Sequence, residues 1–198
     1  IGATYKLGTK MKGYSTTYRY ANQESVSDTL SYRVDTLASG NVRFADELGV
    51  GISFKGGEKW SAEFNYLRSD WTSSGMDTQA GFSSIGESKF TSTVSHSFRA
   101  GFEYTPNRND IRYYMRKCSY RAGVYYDKAY YKLDGHNVNS MGVTLGITLP
   151  IPRLYNGVSL GVDFGQRAST RYNMIRERYA MFVIGFNIHD LWFKKIQY

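Results

Sequence analysis

The stretch Met141–Gly165, MGVTLGITLPIPRLYNGVSLGVDFG, alternates apolar and small residues on either side of a proline-containing break. Before the break the apolar residues take every odd position, and after it every even one: Met141, Val143, Leu145, Ile147 and Leu149, then Val158, Leu160, Val162 and Phe164. A period of two is the pattern of a β-strand whose two faces meet different surroundings. The stretch therefore predicts two strands joined by a turn, each with one apolar face.

The same alternation recurs along the rest of the chain. It is weak over 1–7 and clear over 47–54, 59–71, 92–104, 116–127 and 179–189. We count about eight strands, mostly of about 9–13 residues, against about 5–6 residues in ordinary sheets. A tilted strand needs about 9–11 residues to cross a bilayer. The sequence therefore predicts an all-β fold, an antiparallel up-and-down transmembrane β-barrel.

The connections between these strands differ in length. Short or intermediate ones are expected at 55–58, 106–115 and 150–156, and longer polar ones at 72–91, 132–139 and 166–176. The longest polar segment, 8–45, is expected to hold a hairpin of its own. Short turns on one side and larger loops on the other are typical of outer-membrane barrels, in which the turns face the periplasm.

Bulk properties narrow the protein class. The mean hydropathy is −0.46, and no stretch approaches the roughly 18 apolar residues of a membrane-spanning helix. One cysteine and three histidines predict neither a disulfide nor a metal site, and no cofactor is expected. The net charge of +8 is spread over many loops, which favours an anionic membrane surface over nucleic acid. Because the chain starts within a strand-like segment, we expect 1–198 to be the C-terminal part of a larger barrel.

The two faces of the strands differ in composition. Glycine and serine dominate the polar parity, whereas the exposed face of a soluble barrel is normally rich in Lys, Glu and Thr. Small residues with occasional charges suit a lumen, so the apolar rows should face lipid. The charged candidates for lining the lumen are Glu63, Arg99, Glu103, Arg121, Asp127 and Asp163. They either hold a plug or set selectivity, or form a structural ion-pair lattice.

Two further groups of residues fit a membrane setting. Aromatic residues near strand ends predict an interfacial girdle of Trp60, Trp71, Tyr104, Tyr126, Tyr155, Trp192 and Tyr198. Arginines around the last large loop could bind lipopolysaccharide phosphates by bidentate contacts or simply be solvated: Arg167, Arg171, Arg176 and Arg178.

Several phrases resemble a known family. RFADELGVGISFKGGEKWSAEFNYLRSDW (43–71), HSFRAGFEYTPN (96–107) and the segment 149–193 are similar to FadL/TodX-type outer-membrane transport proteins, especially their Bacteroidota branch. This resemblance implies a 14-stranded barrel with an N-terminal hatch, which admits hydrophobic molecules such as fatty acids. Neither the hatch nor the N-terminal strands of that family match any part of this chain.

Three functions remain open at this point, and none is enzymatic, because no catalytic motif is present. The main prediction is an outer-membrane channel that binds and admits small hydrophobic molecules. The alternative is a non-transporting structural barrel in a larger outer-membrane assembly or secretion complex, with other outer-membrane proteins or lipoproteins as partners. The third is a soluble ligand-binding barrel.

Overall fold

The protein is described from a computed structural model, which covers residues 1–20, 32–78, 84–85, 88–151, 157–168, 170 and 174–187. Two 3₁₀ turns lie at Met76–Thr78 and Tyr114–Lys117. The strands in these ranges are β1 (Gly2–Lys6), β2 (Lys10–Tyr20), β3 (Tyr32–Arg43), β4 (Asp46–Gly56), β5 (Trp60–Asp70), β6 (Ser84–Ile85), β7 (Ser88–Ser92), β8 (Val94–Tyr104), β9 (Ser119–Leu133), β10 (His136–Pro150), β11 (Gly157–Arg167) and β12 (Glu177–Asn187). Within the described part of the chain, no helix is both long and apolar enough to span a membrane.

The main sheet of the described residues has ten strands, of which eight form one continuous antiparallel path and β6 and β7 attach beside β9. The order along this path is β1-β4-β5-β8-β9-β10-β11-β12. The strands therefore follow one another in the sheet in the same order as in the chain, with β2–β3 and β6–β7 lying off the path. The all-β, antiparallel part of the prediction is confirmed. In the described ranges, however, β1 and β12 do not pair with each other, so the sheet is open and no closed barrel is present there.

The longer connections carry structure of their own. β2 and β3 form the hairpin expected within 8–45, inserted between the paired strands β1 and β4. The polar loop expected at 132–139 is wrong: β9 and β10 have 15 residues each and meet at a tight turn with positive φ at Asp134 and Gly135. A register shift between Asn137 and Asn139 lets both strands extend beyond their neighbours.

The apolar side chains of the sheet have almost no protein core to pack against. Among the described residues, the buried hydrophobic ones are Ala45, Phe90, Cys118 and Val138. Leu145, Leu160 and Ile184 lie on one face and remain 53%, 41% and 64% exposed. A soluble domain of this length would bury well over half of the surface that its unfolded chain exposes. The sheet is therefore built to place its apolar face against something other than its own chain.

The polar face is shaped by tyrosines that lie across glycines. Tyr125 of β9 is directly opposite Gly142 of β10, and Tyr179 of β12 is opposite Gly165 of β11. A Cβ atom added at Gly142 would collide with the Tyr125 ring, and one added at Gly165 would collide with Tyr179. These two glycines leave the space in which the phenol rings lie flat on the sheet.

A small aromatic core stabilises the loop end of the sheet. Phe90 of β7 lies 5.5 Å from Tyr131 and 6.4 Å from Tyr130, measured between ring centroids. Trp71 lies 5.0 Å from Tyr130 and 6.2 Å from Phe44. This cluster joins the connections after β3 and β5 to the extension of β9. The aromatic side chains at the loop end therefore pack against one another, as they do in the core of a soluble protein.

Residues 105–118, which connect β8 to β9 at the turn end, form an ordered loop around Asp110. One oxygen of its carboxylate accepts the amide hydrogens of Arg112 and Tyr113, both at 2.8 Å, and the other lies 3.4 Å from a guanidinium nitrogen of Arg116. The hydrogen bond from the Tyr113 amide is the main cause that holds the pKa of Asp110 below its ordinary value. The charged carboxylate therefore organises this loop.

We predict that Gly142→Ala destabilises the folded protein by about 1–3 kcal/mol, because the methyl group enters space held by Tyr125 and lies 2.7 Å from the Phe164 carbonyl oxygen. The matched control is Gly146→Ala on the same face of β10, where the new Cβ meets nothing closer than 3.4 Å. The control should change stability by less than about 0.5 kcal/mol. Urea unfolding in lipid vesicles measures both, and equal effects at the two positions would refute the packing described above.

We predict that the loop around Asp110 loosens in acid. Its pKa is lowered by folding, so its contribution is complete above the ordinary value of 3.8 and is lost as the pH falls through the lower, folded-state pKa. Hydrogen-exchange protection factors of the Arg112 and Tyr113 amides should therefore fall in that acid range. In Asp110→Asn the pH dependence should vanish, whereas protection that is flat with pH in the native protein would contradict this role.

Candidate functional site

The polar face of the sheet forms a long groove of about 690 Å³. All six charged residues predicted to line a lumen contribute to its wall: Glu63, Arg99, Glu103, Arg121, Asp127 and Asp163. The strand register explains this, because they occupy the same parity on β5, β8, β9 and β11. That this groove is the lumen of a barrel stays a prediction, since the described sheet is open.

One ion pair crosses neighbouring strands in the groove. Glu103 of β8 is directly opposite Arg121 of β9, and its carboxylate lies 2.7 Å from the guanidinium Nε. Both side chains are partly exposed, so the pair stabilises the fold by only about 0–1 kcal/mol. Its main effect is to fix where the two charges lie.

A hydrogen-bonded network links three strands further along the groove. The Tyr125 hydroxyl donates to the Asp163 carboxylate at 3.1 Å and lies 2.5 Å from the Tyr179 hydroxyl. Because Tyr125 is on β9 and Asp163 on β11, the phenol reaches across β10. Sequence reasoning identified Asp163 but missed both tyrosines. Their signal in the sequence was the glycine opposite each of them, Gly142 and Gly165.

Several other polar residues on this face are also paired. Ser97 donates a hydrogen bond to Asp127, and the side-chain amide of Asn65 donates to Glu63 at 2.6 Å. Thr148 and Ser159 share a bond of 2.9 Å between their hydroxyls. These contacts join polar groups within and between the strands of the groove, and the choice between a plug or selectivity role and a structural ion-pair lattice stays a prediction.

On the opposite, apolar face, aromatic residues form two cross-strand rows. Trp60, Tyr104 and Tyr120 are register partners near the turn end of β5, β8 and β9. Tyr66, Phe98 and Tyr126 form the second row near the loop end. The rows are six residues apart on each strand, which corresponds to about 20 Å. Apolar residues fill the rows between them, as in the band of a membrane barrel, about 25 Å tall and flanked by aromatic girdles.

The structure separates the residues predicted to form the girdle, and that they lie at a membrane interface stays a prediction. Trp60, Tyr104 and Tyr126 lie in the two rows, whereas Trp71 instead packs in the loop-end aromatic core. Tyr66 and Tyr120 were not predicted, because they lie inside longer aromatic-rich segments. The predicted residues Tyr155, Trp192 and Tyr198 lie outside the described residues.

The four arginines predicted to contact lipopolysaccharide are separated by the structure. Arg178 of β12 is on the apolar face, with its guanidinium 3.4 Å from the Gln166 side-chain oxygen, and Arg176 is exposed just before that strand. Arg167 lines the polar groove on the opposite face. Arg171 lies outside the described residues.

The described part of the chain holds no group of three or more His, Cys, Asp or Glu side chains able to bind a metal ion. Cys118 is buried at the end of the 105–118 loop, and burial raises the pKa of its thiol. A buried, protonated thiol is a poor nucleophile. Taken with the contacts described above, the polar groove can bind polar groups, and the apolar face can pack against lipid or protein.

Comparison with known proteins gives one match. The family described as BamG matches residues 3–198, nearly the whole chain. The chain matches no curated protein and no solved structure.

This match corrects two sequence-based predictions. The resemblance to FadL/TodX-type transporters is wrong, because the family that matches nearly the whole chain is not FadL. The main functional prediction, uptake of small hydrophobic molecules, is overturned with it. The resemblance rested on strand texture and on short phrases such as ELGVGIS and GFEYTPN. Alternation of glycine with apolar residues is a texture that membrane β-strands share irrespective of function.

The alternative prediction, a structural subunit of an outer-membrane assembly, is the one that the family supports. The predicted outer-membrane location and the absence of enzymatic activity are confirmed by the same match. The chain belongs to the BamG family and is a non-catalytic component of the β-barrel assembly machinery of the bacterial outer membrane.

Proposed function

We propose that this chain is a lipid-embedded structural subunit, whose sheet is part of a transmembrane barrel that presents surfaces to other subunits of the assembly machinery. The observation that carries the proposal is the inverted arrangement of the sheet. Apolar rows are exposed on one face, while ion pairs and hydrogen bonds order the other. A bilayer is the surrounding in which both faces are stable.

The two edges of the sheet that the described residues form, β1 and β12, require closure in that setting. An unpaired strand edge leaves backbone N–H and C=O groups without partners, which costs several kcal/mol per group in hydrocarbon. We therefore propose that β1 and β12 are each completed by a neighbouring strand, so that 1–198 belongs to one barrel domain. The count of fourteen strands rested on the FadL resemblance and is not retained.

The polar groove favours a structural over a transporting role. The Glu103–Arg121 pair and the Tyr125–Asp163–Tyr179 network extend across the face that would line the lumen. Side chains paired in this way give the groove an ordered polar surface. Such a surface offers no apolar path for a hydrophobic molecule. The partners proposed are other outer-membrane proteins or lipoproteins of the machinery, with lipopolysaccharide contacts at Arg176 and Arg178 on the outside.

We predict that Leu145→Arg destabilises the membrane-inserted protein by about 2–4 kcal/mol, because it places a guanidinium near the middle of the apolar band. The matched control is Thr144→Arg, one residue away on the groove face and directly opposite Asp163. The control should cost less than about 1 kcal/mol. Urea unfolding from lipid vesicles compares the two, and an equal or reversed order would contradict the orientation.

We predict that the protein, solubilised in mild detergent from its own outer membranes, co-migrates with the other subunits of the β-barrel assembly machinery at a fixed ratio. An affinity tag on this protein, followed by blue native electrophoresis and quantitative mass spectrometry, measures that ratio. An unrelated outer-membrane barrel of similar abundance is the control. Migration of the protein alone, with the other subunits in a separate complex, would refute the proposed role.

A further inference from the structure

Basic side chains form a third cross-strand row on the apolar face. Arg68 of β5 is directly opposite His96 of β8, and His96 is directly opposite Lys128 of β9. On each strand this basic row lies two residues beyond the loop-end aromatic row of Tyr66, Phe98 and Tyr126. It therefore begins about 7 Å past the girdle, on the same face as the apolar band.

The row holds two permanent cations with a histidine between them. Arg68 and Lys128 lie on strands that β8 separates, so their backbones are about 10 Å apart, with His96 in the middle. Asp70 lies 3.4 Å from Arg68 and offsets part of its charge from one side. Asp70 is on the same strand as Arg68, so Lys128 of β9 is two strands away from this ion pair.

The histidine in the middle is held in place. Its Nδ1 atom lies 2.9 Å from the Tyr66 hydroxyl, and the two rings stack with centroids 6.1 Å apart. When the hydroxyl donates to Nδ1, the proton of the neutral ring is on Nε2, which can then donate to an anion. Guanidinium, imidazole and ammonium donors would thus line a strip about 10 Å wide.

The depth of this row decides what it meets. Resting on the proposed function, the aromatic row marks the edge of the hydrocarbon, so the next outward residues lie at the level of lipid headgroups. The row is at the loop end, which in outer-membrane barrels is the extracellular end. Phosphate oxygens are the acceptors that arginine and lysine bind most strongly at such a surface.

We propose that Arg68, His96 and Lys128 form a binding site for the phosphate groups of lipid A, the phosphorylated glycolipid anchor of lipopolysaccharide. The site holds the lipid from the side, against the apolar band, with Tyr66 as a positioning residue for His96. A bound lipid A would offset the charge of the basic row and would occupy the space between this subunit and its neighbours in the membrane.

The test uses the purified full-length protein in detergent micelles and measures binding of bisphosphorylated lipid A by microscale thermophoresis at fixed ionic strength. The triple variant Arg68→Gln, His96→Gln, Lys128→Gln should weaken binding by about tenfold or more. The control variant Lys55→Gln, Lys59→Gln removes two cations at the turn end and should leave the affinity unchanged. Far-UV circular dichroism reports folding, and Lys128→Gln alone, expected to weaken binding about threefold, serves if the triple variant does not fold.

Three further probes distinguish the source of the phosphate: lipid A without phosphates, phosphatidylglycerol and inorganic phosphate. The site predicts weak binding of each relative to bisphosphorylated lipid A. Equal affinity for phosphatidylglycerol would show a general headgroup site, and competition by inorganic phosphate would show a soluble-anion site; either overturns the proposal, as does full affinity in the triple variant. Such results would leave co-migration with the assembly machinery unaffected, so the two proposals fail separately.

Discussion

The structure depends on one constraint: an apolar sheet face that its own chain does not cover must find an apolar solvent. Alternating residues give each strand two unlike faces, and the antiparallel register lines up like with like across eight strands. Leu145, Leu160 and Ile184 are thereby gathered into one exposed surface. Burial of such a surface is the largest favourable term available to the fold, and we propose that hydrocarbon provides it.

The opposite face follows from the same constraint. Polar groups that leave bulk water must be paired, and the groove shows how this is achieved with few charges. Glu103 and Arg121 pair directly, whereas Tyr125 reaches over a glycine to join Asp163 and Tyr179. Within the described residues, the loop end holds a conventional core, in which Phe90 and its aromatic neighbours pack together.

Much of this could be predicted from the sequence, because period two is a local property. The strands, the hairpin within 8–45 and the shared parity of the charged residues all follow from alternation. The Tyr125–Tyr179 contact could not be predicted, because it depends on the strand register. The register decides which glycine lies opposite each tyrosine ring. The long β9–β10 hairpin was missed because polar residues such as Lys132 and Asn137 interrupt the apolar alternation in the outer parts of these two strands. The wrong family was chosen because it rested on the residue pattern of the strands. That pattern depends on what surrounds a strand and does not identify the proteins that it binds.

The orientation of the sheet is tested most directly by site-directed spin labelling in lipid bilayers, with Cys118 replaced by serine. Labels at Val143 and Leu160 should be accessible to dissolved oxygen, which concentrates in hydrocarbon, and shielded from a water-soluble nickel complex. Labels at Thr144 and Gly161, one residue further along, should show the reverse. Nickel access at Val143 and Leu160, or shielding of both positions from both reagents, would contradict the membrane-facing orientation.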